Sequence, residues 1–455
     1  MLDDTIAAIS TPIGEGGLAI VRLSGEDSLK VADRCFAPGS KKSQKPSEAA
    51  THTLHYGHIV RDDRTVDEVM LAVMRAPRTY TREHMVEISC HGGILPAKGV
   101  LDAVLANGAR VALPGEFTRR AFLNGRIDLA QAEAVVDLIH SRTELAMTAA
   151  QEQLAGKLSG RINKARDDLL SALAHIEAHI DFPDEDIAPN TREQLAARLQ
   201  ATAEFAESLL RTFNEGQILR RGVRAAIIGR PNAGKSSLLN QLLGHDRAIV
   251  SPTPGTTRDT IEETANIRGL PVIFVDTAGL REGRDEIEVE GIRRSRITFE
   301  RADLILHVLD ASEPLMPEDE RYLAEFAGKK RILVMNKTDL PAKLQVPAIA
   351  SKAVKVSCIT GAGIEQLKDV IKGAVWSGDI KAEMLEVMIN SRHQDALRRA
   401  AESVRRSLDG LQADLSLELI AMDLHIAVNA LGEIVGKTTT EDLLDSIFSQ
   451  FCIGK

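Results

Sequence analysis

Aromatic residues are scarce in this chain, 3% of 455 residues with a single tryptophan, Trp376. Cores must therefore be built from Leu, Ile, Val and Ala, which favours helix-rich packing over an all-β sandwich. Only four cysteines occur, Cys35, Cys90, Cys358 and Cys452. They are too few and too scattered for a disulfide framework or a CxxC zinc site, and read as reduced thiols. No run of about 18 apolar residues is available to span a bilayer, and Met1-Leu-Asp-Asp lacks the basic start of a signal peptide. A soluble, cytoplasmic protein with no membrane partner is expected. Positive charge is not in excess either: 56 Lys and Arg against 65 Asp and Glu give a formal charge of -9. A chain gripping nucleic acid mainly by neutralising phosphates would be basic. Any RNA partner therefore requires a local basic patch or a second protein.

What is present is ordinary globular chemistry, 44% hydrophobic and 27% charged, in a length that points to about three domains. Residues 1–118 mix short β-like runs (Leu18-Ala-Ile-Val-Arg-Leu23, Val69-Met-Leu-Ala-Val73, Met85-Val-Glu-Ile-Ser89) with a helix near 94–106, an α+β texture. The polar stretch from Gly39 to Ala50 reads as an exposed loop. Residues 119–216 are helical: Leu195, Leu199, Thr202, Phe205, Leu209 and Phe213 recur on one face. Asp181-Phe-Pro-Asp-Glu-Asp-Ile187 interrupts them as a solvated turn. Residues 217–378 alternate strand, loop and helix, the pattern of a parallel α/β sheet. Helical spacing returns in 379–455, at Ala396, Ala400, Val404, Leu408, Leu411, Leu415 and Leu419. An α/β unit flanked by helical sequence on both sides implies insertion into one bundle, which is easy because domain termini often lie close together.

Gly229-Arg-Pro-Asn-Ala-Gly234-Lys235-Ser236 matches G-x-x-x-x-G-K-[ST], after an apolar strand and before a helix. The glycines let backbone N–H groups wrap the phosphates at a helix N-terminus. Lys235 would bridge the β- and γ-phosphates, and Ser236 would bind Mg2+. Further elements follow in the right order. Gly255-Thr256-Thr257-Arg258-Asp259 supplies Thr257 as a second Mg2+ ligand, and Ile273-Phe-Val-Asp276-Thr-Ala-Gly279 ends a strand in a metal-side acid. Asn336-Lys337-Thr338-Asp339 places a carboxylate that accepts both N–H groups of guanine's edge, where adenine presents an acceptor. Ser357 and Cys358 close the base pocket. The nucleotide set is Asn232, Ala233, Gly234, Lys235, Ser236, Ser237, Ser251, Thr256, Thr257, Asp276, Thr277, Ala278, Gly279, Asn336, Lys337, Asp339, Ser357 and Cys358. The fold expected is a multidomain α/β and α+β chain, with a Ras-like P-loop G domain inserted in a central helical bundle behind an N-terminal α+β domain. Where Ras-like switches carry a water-positioning Gln, this chain has Leu280, so a group in Arg281-Glu-Gly-Arg-Asp285-Glu286-Ile-Glu288 must orient the water.

The P-loop, the G-T-T-R-D and D-T-A-G-L runs and the terminal Phe451-Cys452-Ile453-Gly454-Lys455 together resemble the tRNA wobble-uridine modification GTPases of the MnmE/TrmE family. So do Val21-Arg22-Leu23-Ser24-Gly25, Val86-Glu87-Ile88 before His91-Gly92-Gly93, and Pro114-Gly-Glu-Phe117 running to Arg126. The resemblance covers essentially the whole chain. It departs at Arg82-Glu83-His84, and at Cys358, where the family usually has Ala. It implies an N-terminal folate-binding domain that forms a homodimer, and an FAD-containing partner of the MnmG/GidA type in a hetero-oligomer. A tetrahydrofolate derivative (5-formyl or methylene type) would supply carbon for a (carboxymethyl)aminomethyl group at C5 of the tRNA wobble uridine. Arg22, Glu87, Arg126 and Lys455 fall where the family contacts the folate. Cys452 falls beside them, where a neighbouring cation favours thiolate. K+ held by Asn232 and the loop with Ser251, Thr253 and Thr256, and water oriented by Glu288, complete the implied GTPase site. Two rival classes remain at this point: a GTP-dependent assembly or translation switch without chemistry of its own, and a stand-alone folate-dependent methyltransferase.

Overall fold

The computed structural model describes residues 4–40, 44–182, 192–244, 262–275, 302–345, 353–376, 385–386, 388–413 and 415–455. The chain divides into two compact units, 1–136 with 159–166 and 428–455, and 137–158 with 167–427. Among the described residues no helix is long and apolar enough to cross a membrane.

The first unit is built on strands β1 (Ile6–Ile9) and β2 (Leu18–Ser24), helix α1 (Ser28–Cys35), strands β3 (Phe36–Pro38), β4 (Thr53–Arg61), β5 (Arg64–Met74) and β6 (Met85–His91), helix α2 (Ile94–Ala106) and strand β7 (Arg110–Val111). They form one sheet in the order β3-β4-β5-β6-β2-β1-β7. Alternation along β2 buries Ala19, Val21 and Leu23 with residues of α1 and α2, and leaves Leu18, Ile20 and Arg22 on the opposite face. In the antiparallel register of β2 and β6, Arg22 stands directly across from Glu87. Helix α3 (Glu116–Leu123) brings Arg120, only 1% exposed, into a charged cluster with Asp4, Glu83, Glu116 and Arg110. Each carboxylate of the cluster shares a guanidinium, the arrangement that makes a buried charge tolerable. The start of α4 (Leu129–His140) and the C-terminal helix Glu441–Phe448 share a second core through Leu129, Ala132, Leu444, Ile447, Phe448 and Phe451.

The second unit begins with α5 (Glu144–Leu154), most of α6 (Lys157–Asp181), α7 (Arg192–Arg211) and α8 (Phe213–Arg221). Next come β8 (Val223–Ile228), α9 (Lys235–Leu243), β9 (Glu263–Ile267), β10 (Leu270–Phe274), β11 (Leu304–Asp310), β12 (Arg331–Asn336) and β13 (Val354–Lys355). The sheet order is β13-β12-β11-β8-β10-β9, parallel except for the β9–β10 hairpin. Its strands read as continuous apolar runs because both faces are covered. Helix Ser391–Gln412 packs along α7, with Arg405 paired to Glu207, so helical sequence from before and after the α/β segment meets.

Two details differ from the periodicity. The Leu195-to-Phe213 stripe is not one helix: the chain breaks at Thr212, whose hydroxyl donates to the Leu209 carbonyl. Within α7 the small Ala203 and Ala206, not Phe205, complete the buried face. After Gln412 the stripe also ends, and Leu415 and Leu419 are exposed, because the next helix starts afresh at Leu417.

Candidate functional site

The nucleotide site grows from β8, whose last four residues are buried. Gly229 follows with φ 146°, and a Cβ there would strike the Val308 carbonyl of β11. Asn232 takes the left-handed conformation at φ 61°, and Gly234 at φ 95° caps α9. A Cβ on Gly234 would collide with the Asn336 amide, so only glycine keeps the loop this close to the base-side strand. Lys235 and Ser236 open α9, where first-turn N–H groups lack intrahelical acceptors and favour an anion. The Lys235 ammonium donates to the carbonyls of Gly229 at 2.7 Å and Arg230 at 2.8 Å. Burial holds its pKa below the ordinary lysine value, a penalty that an adjacent phosphate reverses. This cradle fits a nucleotide's phosphates.

The base side is tied to the cradle by one amide. Asn336 donates from Nδ2 to the Ala233 carbonyl at 2.9 Å and accepts the Cys358 N–H at 3.2 Å. Asp339 accepts the Ser357 hydroxyl at 2.6 Å, which orients its carboxylate. The Cys358 carbonyl accepts from Gln241 of α9, while its buried thiol is pushed up to about 11 by desolvation. Asp310, at the C-terminal end of β11, accepts Lys337 Nζ at 2.6 Å. Gln241 and Asp310 were not among the sequence-derived candidates. The signal for Asp310 is its place at a strand's C-terminal end, where open α/β sheets put their sites. Ser251, Thr253, Thr256, Thr257, Asp276, Thr277, Ala278, Gly279 and Glu288 lie outside the described residues.

A second constellation forms in the other unit, around the chain's end. Arg22 donates through Nε to Glu87 at 2.7 Å and through Nη1 to the Gly454 carbonyl at 3.1 Å. Gly454, at φ 93°, sits so close that a Cβ would lie 2.5 Å from the Ile9 carbonyl. The Gly115 N–H reaches the Cys452 carbonyl at 3.4 Å, and Lys455 N–H donates to the same carbonyl at 3.3 Å. The terminal turn is thereby laid against β1 and β2. Arg126 stands 4.7 Å over the Tyr80 ring and Arg22 lies 5.9 Å from it. Tyr80 thus links Arg126 to the group that Arg22, Glu87 and Lys455 form. Burial, then the neighbouring Arg22 charge, lowers the Lys455 pKa. Among these side chains three cations stand against one carboxylate, an excess that suits an anionic ligand. Cys452 is exposed, unlike Cys35, Cys90 and Cys358, and all four thiols are free.

A family profile for the "MnmE helical domain" matches residues 129–452, and one for the "GTP-binding protein TrmE N-terminus" matches residues 5–126. The chain belongs to the MnmE family. Relatives called tRNA modification GTPase MnmE include that of Geobacillus thermodenitrificans, 48% identical and covering 99% of both chains. The Bacillus subtilis member is 46% identical over 99% of this chain and all of its own. Among solved structures, the G domain of the T. maritima FeoB iron transporter is 30% identical, covers 33% of this chain and 98% of its own, and has a TM-score of 0.24. Family membership thus spans both the P-loop unit and the unit that holds the C-terminal turn.

Proposed function

We propose that the chain hydrolyses GTP and, coupled to that cycle, serves modification of the wobble uridine of tRNA, the product being a (carboxymethyl)aminomethyl group at C5. The reading rests most on one observation: the Asn336 amide joins the P-loop at Ala233 to the Cys358 backbone, beside the Asp339 carboxylate that suits guanine. Domain roles follow the sequence boundaries: 1–118 for folate and dimerisation, 119–216 and 379–455 for the helical bundle, and 217–378 for the inserted G domain.

In the cycle, N–H groups of the first turn of α9 bind phosphate oxygens. Lys235 exchanges the carbonyls of Gly229 and Arg230 for the β- and γ-phosphates. Asp339, steadied by Ser357, accepts the two N–H groups of guanine. Ser236 and Thr257 are the residues for Mg2+, with Asp276 on its water shell; Asn232, Ser251, Thr253 and Thr256 are those for K+. Held by these residues, the two cations would supply neutralisation of phosphate charge, the larger part of phosphoryl-transfer catalysis. Glu288 orients the attacking water, since Leu280 has no polar group. Arg22, Glu87, Arg126 and Lys455 hold a tetrahydrofolate derivative of the 5-formyl or methylene type, with Cys452 beside it. An FAD-containing partner of the MnmG/GidA type completes a cytoplasmic hetero-oligomer around the homodimer, and supplies most phosphate contacts to tRNA.

Two measurements test the reading. Nucleoside analysis of tRNA from a strain lacking the protein should show loss of the modified wobble uridine; intact modification would sink it. Steady-state GTP turnover should be faster in K+ than in Na+, and Glu288→Ala should bind GTP normally while turning it over slowly. Equal rates in the two salts would remove the potassium site.

A further inference from the structure

We infer that α5 sets the β9–β10 hairpin, making Arg142 and Leu145 positioning residues for GTP hydrolysis although both lie outside the segment 217–378; this rests on the GTPase reading above. The hairpin is the piece of chain between the two switch motifs. It starts at Glu263, four residues after Asp259, and ends at Phe274, two residues before Asp276. Its strands pair without interruption from Leu270 opposite Ile267 to Phe274 opposite Glu263. A ladder this short and regular moves as one body, so whatever fixes the hairpin fixes the roots of both switches.

Helix α5 and the residue before its N-cap, Arg142, grip the hairpin at both ends. At the switch end, Arg142 Nη1 donates to the buried Thr264 hydroxyl at 2.8 Å. Thr264 faces Ile273 in the ladder, one pair from the hairpin's open end. At the turn end, Leu145 lies against Gly269, 3.4 Å from where a Cβ would stand, and Leu270 is fully buried among Ala146, Ala149, Leu219 and Trp376. The grip is itself rigid. Thr143, between Arg142 and the helix, accepts the Ala146 N–H as N-cap, a bond that satisfies one of the helix's unpaired first-turn donors. The turn is held from the other side by Arg268, paired with Asp369 at 2.7 Å and Glu365 at 2.8 Å on helix Ile364–Val375. A hairpin clamped in this way relays force in both directions. If nucleotide state shifts the switch roots, α5 must respond, and by linkage α5 must bias the nucleotide states.

The test uses the full chain. Wild type, Arg142→Ala, Arg142→Lys and Leu145→Ala are compared for GTP turnover, GDP affinity and thermal unfolding. Hydrogen exchange over residues 143–150 is followed with GDP and with a non-hydrolysable GTP analogue. We expect Arg142→Ala and Leu145→Ala to lower kcat about fivefold or more, the scale of ordinary coupling energies, with GDP affinity unchanged. Arg142→Lys, still able to donate to Thr264, should recover most of the rate. Exchange across 143–150 should differ between the two nucleotides. Unchanged kcat together with equal exchange overturns the inference, as does parallel loss of affinity and melting temperature without rescue by lysine. A wild type that turns over no GTP would fail the underlying reading, whereas normal wild-type turnover with unchanged kcat in both alanine variants and equal exchange would fail this inference alone.

Discussion

Asp339 carries the clearest single-residue consequence. Its carboxylate accepts from Ser357, which leaves its remaining lone pairs aimed by a fixed partner. Asp339→Asn replaces one acceptor by a donor, so guanine's N–H groups meet an N–H group. Nucleotide competition should show GTP affinity falling and xanthosine triphosphate affinity rising, and retained guanine preference would refute the base assignment. His307 on β11 makes a prediction of a different kind. It is fully buried, neither ring nitrogen has a hydrogen-bond partner among the described residues, and desolvation pushes its pKa down to about 4. An unfolded histidine titrates near 6.5. With the folded value depressed, the unfolded chain binds the extra proton first, so this contribution is complete above pH 6.5 and is lost as pH falls toward 4. At pH 5 the loss is about 2 kcal/mol. His307→Leu should remove most of that fall in urea melts compared at pH 7 and pH 5. An unaltered pH dependence would mean the histidine finds a partner once charged.

At the scale of elements, sequence periodicity located the cores but not their ends. The parallel sheet, the P-loop and the helix after it were legible because phosphate binding demands a fixed spacing of glycines, lysine and serine. The break at Thr212 was not, since Phe213 continues the apolar rhythm while a hydroxyl-to-carbonyl bond ends the helix. The docking of the C-terminal turn on β2 was legible only through the family resemblance, which put Lys455 with Arg22 and Glu87. Arg22 and Gly454 are 432 positions apart, and no local pattern announces a contact of that range. The turn depends on a residue without Cβ: at Gly454 an added methyl would meet the Ile9 carbonyl and the Ser10 Cα, on a backbone at φ 93°. Gly454→Ala should therefore pull the Gly454 carbonyl away from Arg22 at a cost of about 1–3 kcal/mol. Titration with a 5-formyl tetrahydrofolate should show at least tenfold weaker binding while GTP turnover is kept. Equal affinity would separate the terminal turn from the ligand site.

For the whole molecule, the decisive fact is that the two chemical sites belong to different compact units. The P-loop and its base-side strand lie in 167–427, whereas Arg22, Glu87, Arg126, Cys452 and Lys455 all lie in 1–136 and 428–455. A chain of charge -9 also has no general excess of cations with which to hold tRNA. On the proposed function, modification draws on both units, whereas the residues of each proposed site lie within one unit. Lys235→Ala removes the ammonium from the phosphate cradle without touching the terminal turn. It should abolish GTP binding and leave folate affinity within about twofold, since sites with no shared partners behave additively. Cys452→Ser is the converse case. The thiol is the one exposed cysteine of the four, and its loss alters neither the cradle nor the Arg22–Glu87 pair. GTP turnover and folate binding should both survive, while tRNA from cells carrying the variant should lack the modified uridine. Full modification in Cys452→Ser would take the thiol out of the chemistry and leave the cation cluster as the terminal turn's whole contribution. Loss of GTP turnover in the same variant would instead contradict the independence of the two sites.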